Sequence, residues 1–177
     1  LAQANIAALT DNLQVFLDFE DRYTDQSDIA REIVLEGTIT YIDGQRGKGA
    51  TLGPIEAYLT IEDATGIDGV GDLSWAGWFK RPDTTTAVTP LLKASVYQWK
   101  IDEASNGEFY GFVIDASSNL ITYTSTGDAA EDTDWHHIAC VVDLAGPGNT
   151  VTWYIDGATA EIDTSVSYAD LLANAAG

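Results

Sequence analysis

The sequence predicts an all-β protein, an antiparallel β-sandwich, and three observations carry that expectation. Short stretches rich in β-branched and aromatic residues, many alternating apolar with polar, recur along the chain. Turn chemistry separates them at Asp43-Gly44, Gly66–Gly71, Arg81-Pro82-Asp83, Asn106-Gly107, Ser117–Asn119, Gly146–Asn149 and Asp156-Gly157. No long amphipathic helical pattern interrupts the series.

The elements follow in order. Residues 1–12 are Ala-rich and read as an N-terminal arm. "LQVFLDFE" (Leu13–Glu20) puts Leu13, Val15, Leu17 and Phe19 on one face of a strand, with Gln14, Phe16, Asp18 and Glu20 on the other. "REIVLEGTITYI", "AYLTIE" and "LSWAGWF" come next, then "PLLKASVYQWKI", "FYGFVIDA", "LITYTST", "HHIACVVD" and "TVTWYIDG". "YADLLANA" (Tyr168–Ala175) predicts a short helix in a tail, residues 166–177. One domain then spans residues 13–165. "TYIDG" and "WYIDG" read as two unrelated hairpins that share an Asp-Gly turn.

With 177 residues the chain is long enough to bury roughly 70% of its unfolded surface without a disulfide. Its single Cys cannot form one internally. No apolar run approaches the ~20 residues of a membrane span. The chain has no Met, which implies a processed, excised or partial chain. Lys plus Arg number 8 against 28 acids, a net charge of -20, and no Lys or Arg follows Lys100. Such a surface repels nucleic-acid phosphate and anionic lipid. It suits solubility, divalent-cation binding or a saline habitat.

"DTDWHHIACVVD" (Asp132–Asp143) holds both histidines and the cysteine. On a strand His136 and His137 point to opposite faces, so they cannot chelate one ion side by side. His136 and Cys140 share a face, but four residues separate them by ~13 Å. Zinc bonds of ~2.0–2.3 Å cannot span that gap. The expectation is a core strand with a buried, hydrogen-bonded histidine and a buried free thiol.

Several stretches, taken together, resemble the laminin G-like branch of the concanavalin A-like lectin/glucanase sandwiches. Leu13–Asp21 is similar to that family's opening strand, and Gly44–Glu62 to its glycine-rich hairpin with the strand after it. Leu73–Asp83 resembles its aromatic strand, with Trp78 at the family's tryptophan position. "DWHHIACVVD" and "VTWYIDGATA" resemble two further strands. The resemblance implies a jelly roll in which the histidines hold the sandwich together. It departs after Ser165, where two more family strands do not follow. That departure implies an oligomer or part of a larger assembly, with contacts at the two ends.

Two acidic sets are candidate calcium ligands. Asp63, Asp68 and Asp72 lie among glycines in "EDATGIDGVGD", and Asp18, Glu20 and Asp21 lie in "LDFED". "DAAEDTD" (Asp128–Asp134) is a further acidic loop. Asp18 and Glu20 would stand ~6.5–7 Å apart on one strand face. Sugar-cleaving relatives carry a Glu-x-Asp-x-Glu type strand, which is absent, so no enzyme is expected. Tyr97, Trp99 and Tyr110 are aromatics able to stack on sugar rings, with core packing as their simpler role.

The function expected is a non-catalytic module on an exterior surface, extracellular or on a virion, that recognises glycan or protein, with Ca²⁺ as a possible cofactor. The alternative is a structural decoration subunit of a virion or other surface assembly. Neither nucleic acid nor membrane insertion is expected.

Overall fold

The computed structural model describes residues 13, 15–52, 57–61, 73–81, 83, 88–93, 97–102, 108–114, 120–124, 132–143 and 150–163. From 88 to 124, and at residues 73, 142 and 160–163, the description is of the backbone. Among the described residues all regular structure is strand. The N-terminal arm, the C-terminal tail with its expected helix, and the Glu62–Asp72 loop lie outside them.

Two compact units divide the chain at Ile67/Asp68. Among the described residues the first holds four short strands: β1 (Ile33–Glu36), β2 (Ile39–Asp43), β3 (Lys48–Leu52) and β4 (Tyr58–Ile61). Strand β1 pairs antiparallel with β4, and β2 with β3. Gly37, at φ 81°, splits the single apolar stretch "REIVLEGTITYI" into β1 and β2, because left-handed backbone ends a strand.

The opening stretch departs from expectation. The described residues of Leu13–Glu20 enter no ladder, although their apolar face is partly buried and Phe16 is exposed. The backbone bonds of Phe16 go to the loop that follows. The Phe16 N–H donates to Asp25 Oδ1 at 2.8 Å, and the Phe16 carbonyl accepts from the Gln26 N–H at 2.7 Å. Phe19 and Asp21 then adopt left-handed φ values of 56° and 53°, which no strand sustains. Asp25 is the hub of this loop. Its Oδ1 also accepts from the Ser27 N–H, and its Oδ2 accepts from Ser27 Oγ and the Arg31 N–H. It is only 7% exposed, so those bonds replace the water it has lost.

Among its described residues the second unit contains two four-stranded antiparallel sheets, in the orders β12-β11-β10-β5 and β6-β7-β8-β9. The first joins β5 (Leu73–Lys80), β10 (Trp135–Asp143), β11 (Thr150–Ile155) and β12 (Ala158–Asp163). The second joins β6 (Val88–Lys93), β7 (Tyr97–Asp102), β8 (Glu108–Ile114) and β9 (Leu120–Thr124). Strand β12 and the separate β3 were not distinguished by periodicity. β12 is short and carries Glu161 and Asp163 among its apolar residues.

Alternation along β10 and β11 makes one face a dry layer. Ile138, Cys140, Val151 and Trp153 are essentially inaccessible, and Ile155 nearly so. Trp75 on β5 meets Trp153 edge-on at 5.7 Å and Phe79 at 6.0 Å. Such T-shaped pairs add about 0.5–1.5 kcal/mol beyond area burial. Gly77 sits between these two aromatics of β5 in sequence. A Cβ there would come within 3.0 Å of the Phe79 ring, so the glycine makes room for it.

Candidate functional site

The opposite face of the same sheet carries a different set. On β5 it presents Ser74, Ala76, Trp78 and Lys80, all exposed. Ladder register places His137 against Trp78, Ala139 against Ala76 and Val141 against Ser74. It then places Tyr154 beside Ala139, and Thr152 beside Val141. Ala76, Ala139 and Tyr154 thus form one row across three strands, about 10 Å wide at the usual ~4.8 Å spacing. The row is floored by two methyl groups, with the Trp78–His137 row alongside it. Trp78 is 40% exposed and meets the His137 ring edge-on at 5.2 Å. Lys80, opposite Trp135, is the cation at the rim.

Trp75 and Trp78 are three residues apart, so strand geometry sends them to opposite faces. One fills the core, and the other is left at the surface.

Below this face, at the end of β10, lies a polar cluster. His136 Nδ1 is 2.8 Å from Asp156 Oδ2, and its Nε2 is 3.0 Å from Asp132 Oδ1. Asp156 Oδ1 accepts the His137 N–H at 2.9 Å, and the Asp156 N–H donates to the His137 carbonyl at 2.8 Å. Asp156 and Gly157, at φ 51° and 81°, are the two central residues of the β11–β12 hairpin, the arrangement for which Asp-Gly is suited. His136 is hydrogen-bonded as expected of this strand, but half-buried rather than buried. Cys140 is a buried free thiol whose pKa is pushed up by burial.

The predicted calcium ligands are placed as follows. Asp18 pairs with the Arg22 guanidinium, which holds its carboxyl below the usual range. Glu20 Oε1 accepts the Lys48 N–H at 3.0 Å, and Asp21 is exposed. The three carboxylates are not brought to a common point, whereas Ca²⁺ asks for 6–8 converging oxygens. Among the described residues no three His, Cys, Asp or Glu side chains gather as a metal would require. Asp63, Asp68 and Asp72 lie outside the described residues, as do the side chains of Tyr97, Trp99 and Tyr110. Of the acidic loop 128–134, Asp132 and Asp134 are described, and Asp132 is engaged by His136.

A laminin G-type family profile, described as the Concanavalin A-like lectin/glucanases superfamily, matches residues 52–176. The chain belongs to this superfamily. No curated protein matches it in sequence. Among solved structures, the binding domain of Paraclostridial Mosquitocidal Protein 1 is similar at a TM-score of 0.71 and 16% identity, over 88% of this chain and 41% of that one. The binding domain of Botulinum neurotoxin DC, solved with rat synaptotagmin II, gives 0.68 and 11%, over 92% and 42%. A botulinum neurotoxin type C that depends on two ganglioside molecules to get into cells gives 0.67 and 12%, over 94% and 42%. This chain therefore spans about two fifths of each of those structures. The likeness is one of fold: an all-β, antiparallel, concanavalin A-like jelly roll.

Sequence reasoning placed Trp78 at a family position within an aromatic core strand but missed its exposure. The three-residue spacing from Trp75 is the signal that separates the two. Asp132 and Asp156 were read as loop and turn residues. Their joint contact with His136 depends on a hairpin closing 20 residues away, which local pattern does not reveal.

Proposed function

We propose that this chain is a non-catalytic recognition module that binds glycan through the outer face of β5, β10 and β11, on an exterior surface. The observation that carries the reading is Trp78, a large aromatic left exposed beside the methyl floor of Ala76 and Ala139. A pyranose ring has an apolar face of C–H bonds that packs on an indole, while its hydroxyls reach flanking polar groups. Ser74, Thr152, Tyr154 and Lys80 supply those groups here. The botulinum neurotoxin domains with the same fold, one solved with synaptotagmin II and one dependent on gangliosides, favour recognition of glycan or protein. The engagement of Asp18 by Arg22 and of Glu20 by the Lys48 amide favours a non-catalytic role. A retaining glycosidase needs two carboxyls ~5–5.5 Å apart and free to act.

The test is calorimetry with lactose and sialyllactose on the native chain and on Trp78→Ala. The substitution should weaken binding at least about tenfold, or about 1.4 kcal/mol, with an unchanged far-UV spectrum. Equal binding by both proteins would reject this face.

A second reading is a structural decoration subunit of a virion or other surface assembly. It draws on apolar side chains exposed in the first unit: Val34 and Tyr58 on β1 and β4, and Ile42 and Leu52 on β2 and β3. Light scattering distinguishes the two, since this reading requires a multimer in the absence of glycan.

A further inference from the structure

His136 faces a carboxylate at each ring nitrogen, and this constrains its protonation. A neutral imidazole has one N–H and one lone pair. Between Asp132 and Asp156 it can donate to one carboxylate only, and its lone pair then confronts the other. The imidazolium donates to both. The two contacts join three segments: the Asp132 loop before β10, β10 itself, and the β11–β12 turn. Asp156 is also bonded in both directions to the His137 backbone, and the His137 ring is the one against Trp78.

We propose that His136, Asp132 and Asp156 form a proton-operated clasp that orders the recognition face. With His136 charged, the loop and the turn are both held, and His137 is fixed beside Trp78. With His136 neutral, one carboxylate is released and that end of the sheet loosens. The inference rests on reading the Trp78 face as the binding surface.

Other groups also bear on the clasp. Within the loop, the Asp134 N–H donates to Asp132 Oδ1 at 2.7 Å. Arg81, just beyond β5, attracts Asp132, and His137 attracts Asp156. On β5 itself the residue opposite His136 is the neutral Phe79, and Lys80 belongs to the other face. Burial disfavours a charged His136, but the hydrogen bonds it donates to Asp132 and Asp156 outweigh it and raise its pKa. The pKa of Asp132 is lowered, first by His136. That of Asp156 is lowered despite burial. A folded value above the unfolded ~6.5 means the clasp is complete below that pH. It is lost as pH rises through the folded value.

The test is a ¹⁵N NMR titration of the ligand-free chain between about pH 5 and 9. It follows the imidazole nitrogens, the His137 amide and the Trp78 indole N–H, the last assigned with Trp78→Ala. The expected result is one shared transition, with a midpoint above 6.5, in all three signals. In His136→Gln the Trp78 transition should vanish, which excludes titration of His137 as its cause. Should that variant not fold, Asp132→Asn, at an exposed position, should lower the midpoint. A Trp78 signal that ignores the His136 transition would overturn the clasp, as would one that titrates unchanged in either variant. Because no ligand is present, failure here is separable from failure of the glycan reading.

Discussion

Cys140 and Trp153 oppose each other across β10 and β11, and both are shut off from water. A thiol raised by burial has almost no thiolate at neutral pH, and the thiolate is the nucleophile. Iodoacetamide should therefore leave Cys140 unmodified in the native chain at pH 8 and alkylate it in about 6 M urea, as read by intact mass. Trp153→Ala removes the largest wholly buried side chain among the described residues, and its contact with Trp75. It should cost about 3–5 kcal/mol in urea unfolding. At this scale the fate of Cys140 and His136 was legible, because a β-branched strand dictates opposite faces for neighbours. Trp78 was not, because an apolar residue on a half-covered sheet reads the same whether or not another layer lies over it.

Elements are where local pattern succeeded and failed for identifiable reasons. Asp156-Gly157 and Asp43-Gly44 look alike, yet only the former fills a two-residue turn. Asp43 is itself the last ladder residue, paired with Lys48 across a longer loop. The period-two pattern of Leu13–Glu20 predicts a strand. The contacts that override it run to Asp25, nine residues beyond Phe16, outside any window in which alternation is read. Asp25 should make this segment acid-sensitive. Burial raises its pKa, but bonds from Phe16, Ser27 and Arg31 outweigh that and lower it. Its contribution is present above the unfolded ~3.9 and is lost as pH falls through the lower folded value. Asp25→Asn keeps the shape, replaces one acceptor oxygen with a donor, and should cost about 1–3 kcal/mol in chemical unfolding near pH 7. Gly47 has a φ of 68°, and a Cβ there would overlap Glu20 Oε1 at 1.7 Å. Gly47→Ala should break the Glu20–Lys48 contact and lower the melting temperature, with the β5–β10–β11 sheet unaffected by amide shifts.

For the whole molecule, charge dominates. A net charge of -20 on 177 residues opposes compaction through self-repulsion that salt screens. The melting temperature should rise by a few degrees between about 10 mM and 0.5 M NaCl, and a fall would show that salt-sensitive ion pairs dominate instead. The all-β class and the superfamily were legible at this scale, since turn spacing and the order of the aromatic strands are global features. The proposed binding face was not, because it is assembled by register among three strands, two of which lie more than 50 residues apart in the chain. Amide and indole shift mapping, as sialyllactose is added to the ¹⁵N-labelled chain, observes that face during binding. Recognition there predicts saturable shifts centred on the Trp78 indole and the amides of Ala76, His137, Ala139 and Tyr154. Shifts confined to the β2–β3 hairpin or elsewhere, with those five signals unmoved at saturation, would contradict it.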